Sequence, residues 1–114
     1  MSHPLPPLSR NKAKQLTGLA GRLDRLFTAL EDLPRVGPPP AHLRGEALRI
    51  VNALRLFFPA RQAFPCTDYL GSAQTPVMFD LFVAVLEGIE SLKSLYRQSK
   101  SFRAKTYPRA WQEW

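Results

Sequence analysis

Cysteine and histidine are scarce in this chain, which holds one cysteine and two histidines among 114 residues. A single cysteine, Cys66, excludes an internal disulfide and a cysteine-based zinc site. His3 and His42 lie far in sequence from each other and from Cys66, so no metal-ligand spacing of these residues is present. We therefore expect no metal and no other cofactor. A lone thiol also makes a reducing, cytoplasmic location the default.

Apolar runs long enough to span a bilayer, about 18 uncharged residues, are also missing. Residues 1–7 contain neither the basic segment nor the apolar segment that opens a secretory signal. We therefore expect no signal peptide and no membrane partner.

Catalytic signatures are absent as well, since there is no phosphate loop, no glycine-rich dinucleotide turn and no Gly-x-Ser-x-Gly elbow. Cys66 and His42 could be paired as nucleophile and base, but a small buried thiol is the commoner role for such a cysteine. Glu87 and Glu90 are predicted to form ion pairs, with Lys93 or with arginines of a neighbouring helix, rather than a catalytic pair. We therefore expect a protein without enzymatic activity.

Positive charge is concentrated at the two ends of the chain, whose formal net charge is +7. Residues 1–23 contain four cations and no acid, and residues 93–114 contain six cations and one acid. The middle, residues 24–92, contains six arginines and eight acids. This segregation favours contact with a polyanion, either nucleic acid or anionic lipid. The alternative is that the charged ends are solvated and only keep the protein soluble.

Heptad repeats predict three main helices, which prolines separate. Apolar residues recur at alternating steps of three and four within residues 10–33, 41–58 and 76–98. Pro34 and Pro59 are expected to end the first two helices, and Thr75-Pro76 to begin the third. Residues 59–75 show no sustained period and are predicted to form an ordered loop with room for one short turn. The first repeat consists of leucine alone: Leu16, Leu19, Leu23, Leu26, Leu30 and Leu33.

The predicted fold is all-α, a small bundle of these three main helices with the option of a short helix at the carboxyl terminus. Residues 1–8 are expected to be a Pro-rich flexible arm and residues 9–106 a single helical domain. Residues 107–114 are expected to be an aromatic and basic tail. The leucine repeat of the first helix, or surplus apolar surface of the third, could also pack against a second copy or a larger partner.

One cluster has a chemical signature, at the carboxyl end, where aromatic and cationic residues alternate. Cations neutralise phosphates, and aromatic faces stack on unpaired bases. The sequence therefore predicts an accessory subunit of a nucleoprotein complex that binds the nucleic-acid backbone without base-specific reading. The predicted contact residues are Lys93, Tyr96, Arg97, Lys100, Phe102, Arg103, Lys105, Tyr107, Arg109 and Trp111, together with Arg10, Lys12 and Lys14 near the amino end.

Other interpretations of the same cluster stay open. The aromatic and basic pattern also suits a protein partner, as in an adaptor or a phage- or plasmid-type inhibitor that occupies a groove of that partner. The aromatic side chains could instead fold back and cap the helical core. A cationic membrane-surface helix is less favoured, because the strongest cations and the strongest apolar residues occupy different stretches.

The direction of the third helix decides how the two basic segments act. In an up-down-up bundle, the start of the first helix and the end of the third lie at opposite ends. If residues 59–75 reverse the third helix, both basic segments meet at one end. The length of that segment allows either arrangement.

Overall fold

The computed structural model describes residues 10–58 and 62–98, which form four α-helices. Helix α1 spans Arg10–Glu31, and α2 spans Ala41–Leu54 and continues as a single 3-10 turn over Arg55–Phe57. Helix α3 spans Pro65–Ser72 and α4 spans Met78–Gln98. No strand occurs within these ranges, and the predicted all-α fold is confirmed.

The three main helices match the predicted segments, with differences at their ends. Helices α1 and α2 end two and four residues before the predicted positions. Helix α4 begins at Met78, two residues after the expected start. The Val77 amide donates to the Asp80 carboxylate at 2.9 Å, so Asp80 satisfies a backbone amide at the start of this helix.

Helix α3 is the main departure from the prediction, because the sequence indicates a loop over residues 59–75. Its eight residues make only about two turns, too few for an apolar period to show. Pro65 lies in its first turn, where proline is favoured, but Phe64 before it makes no side-chain cap. The hydrogen bonds that complete the two ends of α3 come from other helices.

Helix α1 runs antiparallel to both α2 and α4. A Cβ placed on Gly88 of α4 would lie 3.2 Å from Leu23 of α1 and 3.3 Å from Val51 of α2, so the three helices meet at that point. The Met78 amide donates to the Gly37 carbonyl at 2.7 Å, which joins the start of α4 to the chain just after α1. Gly37 has a φ of 84°, a conformation that glycine adopts without steric cost. Helices α2 and α4 are therefore parallel, and α3 returns the chain between them.

The predicted heptad repeats form a shared core along the axis of the bundle, where their burial drives folding. Leu70 of α3 joins this core, and Leu33, Leu43 and Phe57 pack at its edge. The buried members of the predicted repeats are Leu16, Leu19, Leu23, Leu26 and Leu30 from α1, Ala47, Ile50 and Leu54 from α2, and Met78, Phe82, Val85, Ile89 and Leu92 from α4.

The Pro-rich arm, the aromatic and basic tail and the optional carboxyl-terminal helix lie outside the described residues. Across residues 10–58 and 62–98, no helix is long and apolar enough to cross a membrane.

Candidate functional site

The first turns of α1 lie at the same end of the bundle as the last turn of α4. Leu23 and Gly88 are neighbours where these antiparallel helices cross. Ala13 lies ten residues before Leu23 in α1, and Gln98 lies ten residues after Gly88 in α4, so each is about 15 Å from the crossing in the same direction. We call this region the basic end. The exposed cations of α1 at the basic end are Arg10, Lys12 and Lys14.

The opposite end of the bundle carries more acidic side chains. Glu31 and Asp32 are exposed where α1 ends, and Asp80 lies in the first turn of α4. Arg35 and Arg44 offset part of this negative charge. Of the two arrangements that the sequence allows, the structure has the one in which the start of α1 and the end of α4 lie at the same end of the bundle, because α3 turns the chain around before α4 begins. The bundle is therefore electrically polar along its axis.

The carboxyl termini of α2 and α4 both face the basic end. Each helix carboxyl terminus carries about half a negative charge, so nearby cations are stabilised. Within α1 alone, Lys12 and Lys14 are unfavourably placed, because the amino terminus of a helix is positive. The packing of the bundle offsets this local cost. The two helix carboxyl termini together contribute about one negative charge, which is less than the positive charge of the three exposed cations. The basic end therefore keeps a net positive charge.

Three of the predicted contact residues lie in α4: Lys93, Tyr96 and Arg97. Lys93 is only 6% exposed, and its Nζ lies 3.6 Å from Glu90 Oε1, which confirms the predicted ion pair. A side chain this buried presents little surface to a polyanion. Tyr96 and Arg97 lie in the last turn of α4, at the basic end. The remaining predicted contacts lie outside the described residues: Lys100, Phe102, Arg103, Lys105, Tyr107, Arg109 and Trp111.

Arginines in the middle of the bundle are engaged with acidic side chains. Arg22 of α1 donates from Nε and Nη2 to Glu46 Oε1 of α2 at 3.0 and 2.7 Å. Arg49 donates to the other oxygen of Glu46 at 3.2 Å. These hydrogen bonds, the one from Arg22 foremost, hold the pKa of Glu46 below its ordinary value. Arg55 pairs in the same way with Asp68 of α3.

Two charged side chains from other helices form hydrogen bonds with the free backbone groups at the ends of α3. Glu87 of α4 accepts hydrogen bonds from the Cys66 amide at 3.1 Å and from the amide and hydroxyl of Thr67 at 2.8 Å. Arg44 of α2 donates through two nitrogens to the Leu70 carbonyl at 3.1 and 2.8 Å. The anion therefore lies at the positive amino end of α3 and the cation at its negative carboxyl end, as the helix dipole favours. The predicted arginine partner of Glu87 is replaced by these backbone and hydroxyl donors.

The environment of Cys66 fits a structural thiol. Burial raises the pKa of the Cys66 thiol, and the charge and hydrogen bonding of Glu87 raise it further. A nucleophilic cysteine needs the opposite shift. His42 is exposed in the first turn of α2. In the described part of the chain, no group of three or more histidine, cysteine or acidic side chains could hold a metal.

A groove between α1 and α2 opens beside the basic end, and no apolar pattern in the sequence indicates it. Its volume is about 510 Å³, and its lining includes Gly18 and Leu19 of α1, Ala53 of α2, and Leu56 and Phe57 of the 3-10 turn that follows α2. We call it the α1–α2 groove. Leu56 is 85% exposed although it is a large apolar residue. Two features of the sequence are nevertheless consistent with the groove: Leu56 falls outside the heptad repeat, and Gly18 is a glycine inside a helix, where glycine is disfavoured.

No family model, curated protein or solved structure matches this chain.

Proposed function

We propose that the basic end binds the phosphate backbone of a nucleic acid without reading its sequence, as an accessory subunit of a nucleoprotein complex. One observation carries this proposal. The antiparallel packing of α1 and α4 places the cations of α1 at the end of the bundle where α4 finishes, and the cationic residues 99–114 follow α4 in the sequence. We expect these residues to extend the same electropositive surface.

The distribution of charge supports binding to an extended polyanion. Arg10 and Lys14 lie one turn apart on one face of α1, so a phosphate chain could meet both without ordering a loop. Lys12 lies on the side of α1 that lines the α1–α2 groove. The more acidic opposite end gives the molecule a dipole that orients its approach to a polyanion. Lysine and arginine contacts of this kind position a protein on phosphates and carry no base specificity.

The salt dependence of binding tests the proposal. The logarithm of the affinity for a generic duplex or single strand, measured by fluorescence anisotropy between about 50 and 200 mM salt, should fall linearly with the logarithm of the salt concentration. Each phosphate contact contributes a slope of about −0.7 to −0.9. Replacing Arg10, Lys12 and Lys14 together with Gln should therefore reduce the slope by roughly 2 to 3.

A second triple variant, in which Arg25, Arg35 and Arg49 become Gln, is the matched control. It removes the same charge from exposed positions away from the basic end, so its slope should stay close to that of the wild-type chain. Equal losses in the two triple variants would refute a localised site. Undetectable binding at low salt would refute the function. Circular dichroism would verify that both variants keep their helices.

A protein-binding adaptor is the second candidate, and one observation favours it. Tyr69 of α3 and Phe79 and Leu86 of α4 are large apolar side chains with exposures between 41% and 59%. Phe79 and Leu86 are two turns apart on one face of α4. Phosphate binding makes no use of such a face, whereas a protein partner in a larger assembly would cover it. If this function is correct, Phe79→Ser should abolish assembly with that partner and leave nucleic-acid affinity unchanged.

A further inference from the structure

The α1–α2 groove combines an apolar lining with a cationic rim. Lys12 and Arg22 line its two ends on α1, and Gln15 lies between them. Its volume, about 510 Å³, is within the range of small-molecule sites. We propose that the groove binds an unpaired base of a single-stranded nucleic acid whose phosphates lie on the basic end. This inference rests on the proposed function and adds a preference for single strands.

The groove is short, which favours a base over a docked protein helix. Arg22 of α1 donates to Glu46 of α2 at 2.7 Å, so their ion pair crosses the space between the helices. From Lys12 to Arg22 the groove extends about 15 Å along α1. A helix of average length, about 15–21 Å, would run into this ion pair. One or two nucleotides can lie between Lys12 and the ion pair without breaking it.

Gly18 leaves the floor of the groove open. A Cβ at this position would meet no other atom within 4 Å, so the packing of the bundle does not require glycine here. Glycine inside a helix destabilises it relative to alanine. The space that the missing side chain leaves allows a flat ring to approach the backbone of α1 closely.

The lining and the rim suit a flat ring with polar edges. Phe57 is half-buried and offers an aromatic surface, and Leu56 extends beside it into solvent. Stacking of bases on such side chains tolerates any sequence. The Gln15 amide carries both a donor and an acceptor for the edge of a base. Lys12 lies at the end of the groove nearest the basic end, where the sugar–phosphate chain would enter.

Strands with and without bases separate base binding from phosphate binding. The probes are an oligothymidine strand and an abasic strand of equal length and charge, titrated with the full chain at one low salt concentration. We expect wild-type protein to bind oligothymidine roughly 5- to 150-fold more tightly, as stacking of one base contributes. Gly18→Leu fills the groove and should abolish this preference. Leu56→Ala removes an exposed wall and should reduce the preference several-fold.

Gly21→Ala is the matched control on the same helix. A Cβ there meets only Arg25, at 3.6 Å, and Gly21 does not line the groove, so the preference for oligothymidine should persist. Circular dichroism would verify folding, which is expected because Gly18 and Leu56 are exposed.

Each other outcome has a defined meaning. Equal binding of both strands by wild-type protein would overturn the base site and leave the proposed phosphate binding intact. A preference that survives Gly18→Leu would also overturn the base site, since the base would bind elsewhere. Failure to bind either strand at low salt would overturn both the base site and the proposed function.

Discussion

Removal of the Glu87 carboxylate should destabilise the protein by releasing the amino end of α3. This carboxylate accepts three hydrogen bonds, from the Cys66 amide, the Thr67 amide and the Thr67 hydroxyl, at 2.8 to 3.1 Å. Thr67 is 1% exposed, so its hydroxyl could not find a water molecule in place of the carboxylate without opening the structure.

The magnitude follows from these contacts. Hydrogen bonds to a charged group contribute about 1.5–3 kcal/mol, and a buried donor left without an acceptor costs about 1–3 kcal/mol. Glu87 is itself half-buried, so water replaces part of the loss at the Cys66 amide. We expect Glu87→Ala to lower the free energy of unfolding by about 2–4 kcal/mol. Glu87→Gln keeps an acceptor but loses the charge at the helix terminus, and should cost about 1–2 kcal/mol.

Urea unfolding followed by circular dichroism measures these changes, and amide hydrogen exchange locates them. Exchange should accelerate first in residues 65–72. Glu31→Gln makes the same chemical change at an exposed position in the last turn of α1, where a negative charge is unfavourable, and should have no effect or stabilise slightly. A loss below about 0.5 kcal/mol for Glu87→Ala would refute the reasoning, because surface substitutions reach that size.

Three further predictions concern the core, acid stability and the thiol. Gly88→Ala should lower the free energy of unfolding in urea by about 1–3 kcal/mol, because the added methyl would lie 3.2 Å from Leu23; a more stable variant would show that the core has room. The folded-state pKa of Glu46 lies below the ordinary 4.5, so this residue stabilises the fold above that pH and ceases to do so as pH falls through the lower value. In Glu46→Gln, the free energy of unfolding should therefore decrease less steeply as the pH falls below 4.5. The same decrease as in the wild-type protein would contradict this prediction. Iodoacetamide should alkylate Cys66 more slowly than an unhindered thiol and faster in Glu87→Gln, because the carboxylate raises the pKa of the thiol; equal rates in the two proteins would contradict that cause.

Local patterns were sufficient to predict the three main helices and most of the core. The leucine repeat from Leu16 to Leu30 is buried in α1, and the repeat from Met78 to Leu92 is buried in α4. A periodic apolar face needs only the geometry of one helix to be recognised. The pairing of Glu90 with Lys93 was predictable for the same reason, since residues three apart are neighbours on a helix.

Helix α3 could not be predicted from the sequence, because the side chains that hydrogen-bond to its two ends are remote from it in the sequence. Glu87 lies 20 residues from Thr67, and Arg44 lies 26 residues from Leu70. A two-turn helix with neither a side-chain cap nor a visible period depends on such tertiary contacts. The α1–α2 groove could not be predicted for a similar reason, since it forms only where two helices lie side by side.

The sequence by itself determined that the chain is helical and which faces of its main helices are buried, because both properties repeat along a single helix. It also determined that cations gather near the two chain ends. Only the tertiary structure decided that the start of α1 and the end of α4 lie at the same end of the bundle, because the direction of α4 depends on the reversal of the chain through α3. That reversal is stabilised at its two ends by Glu87 and Arg44, contacts between helices that no local pattern encodes.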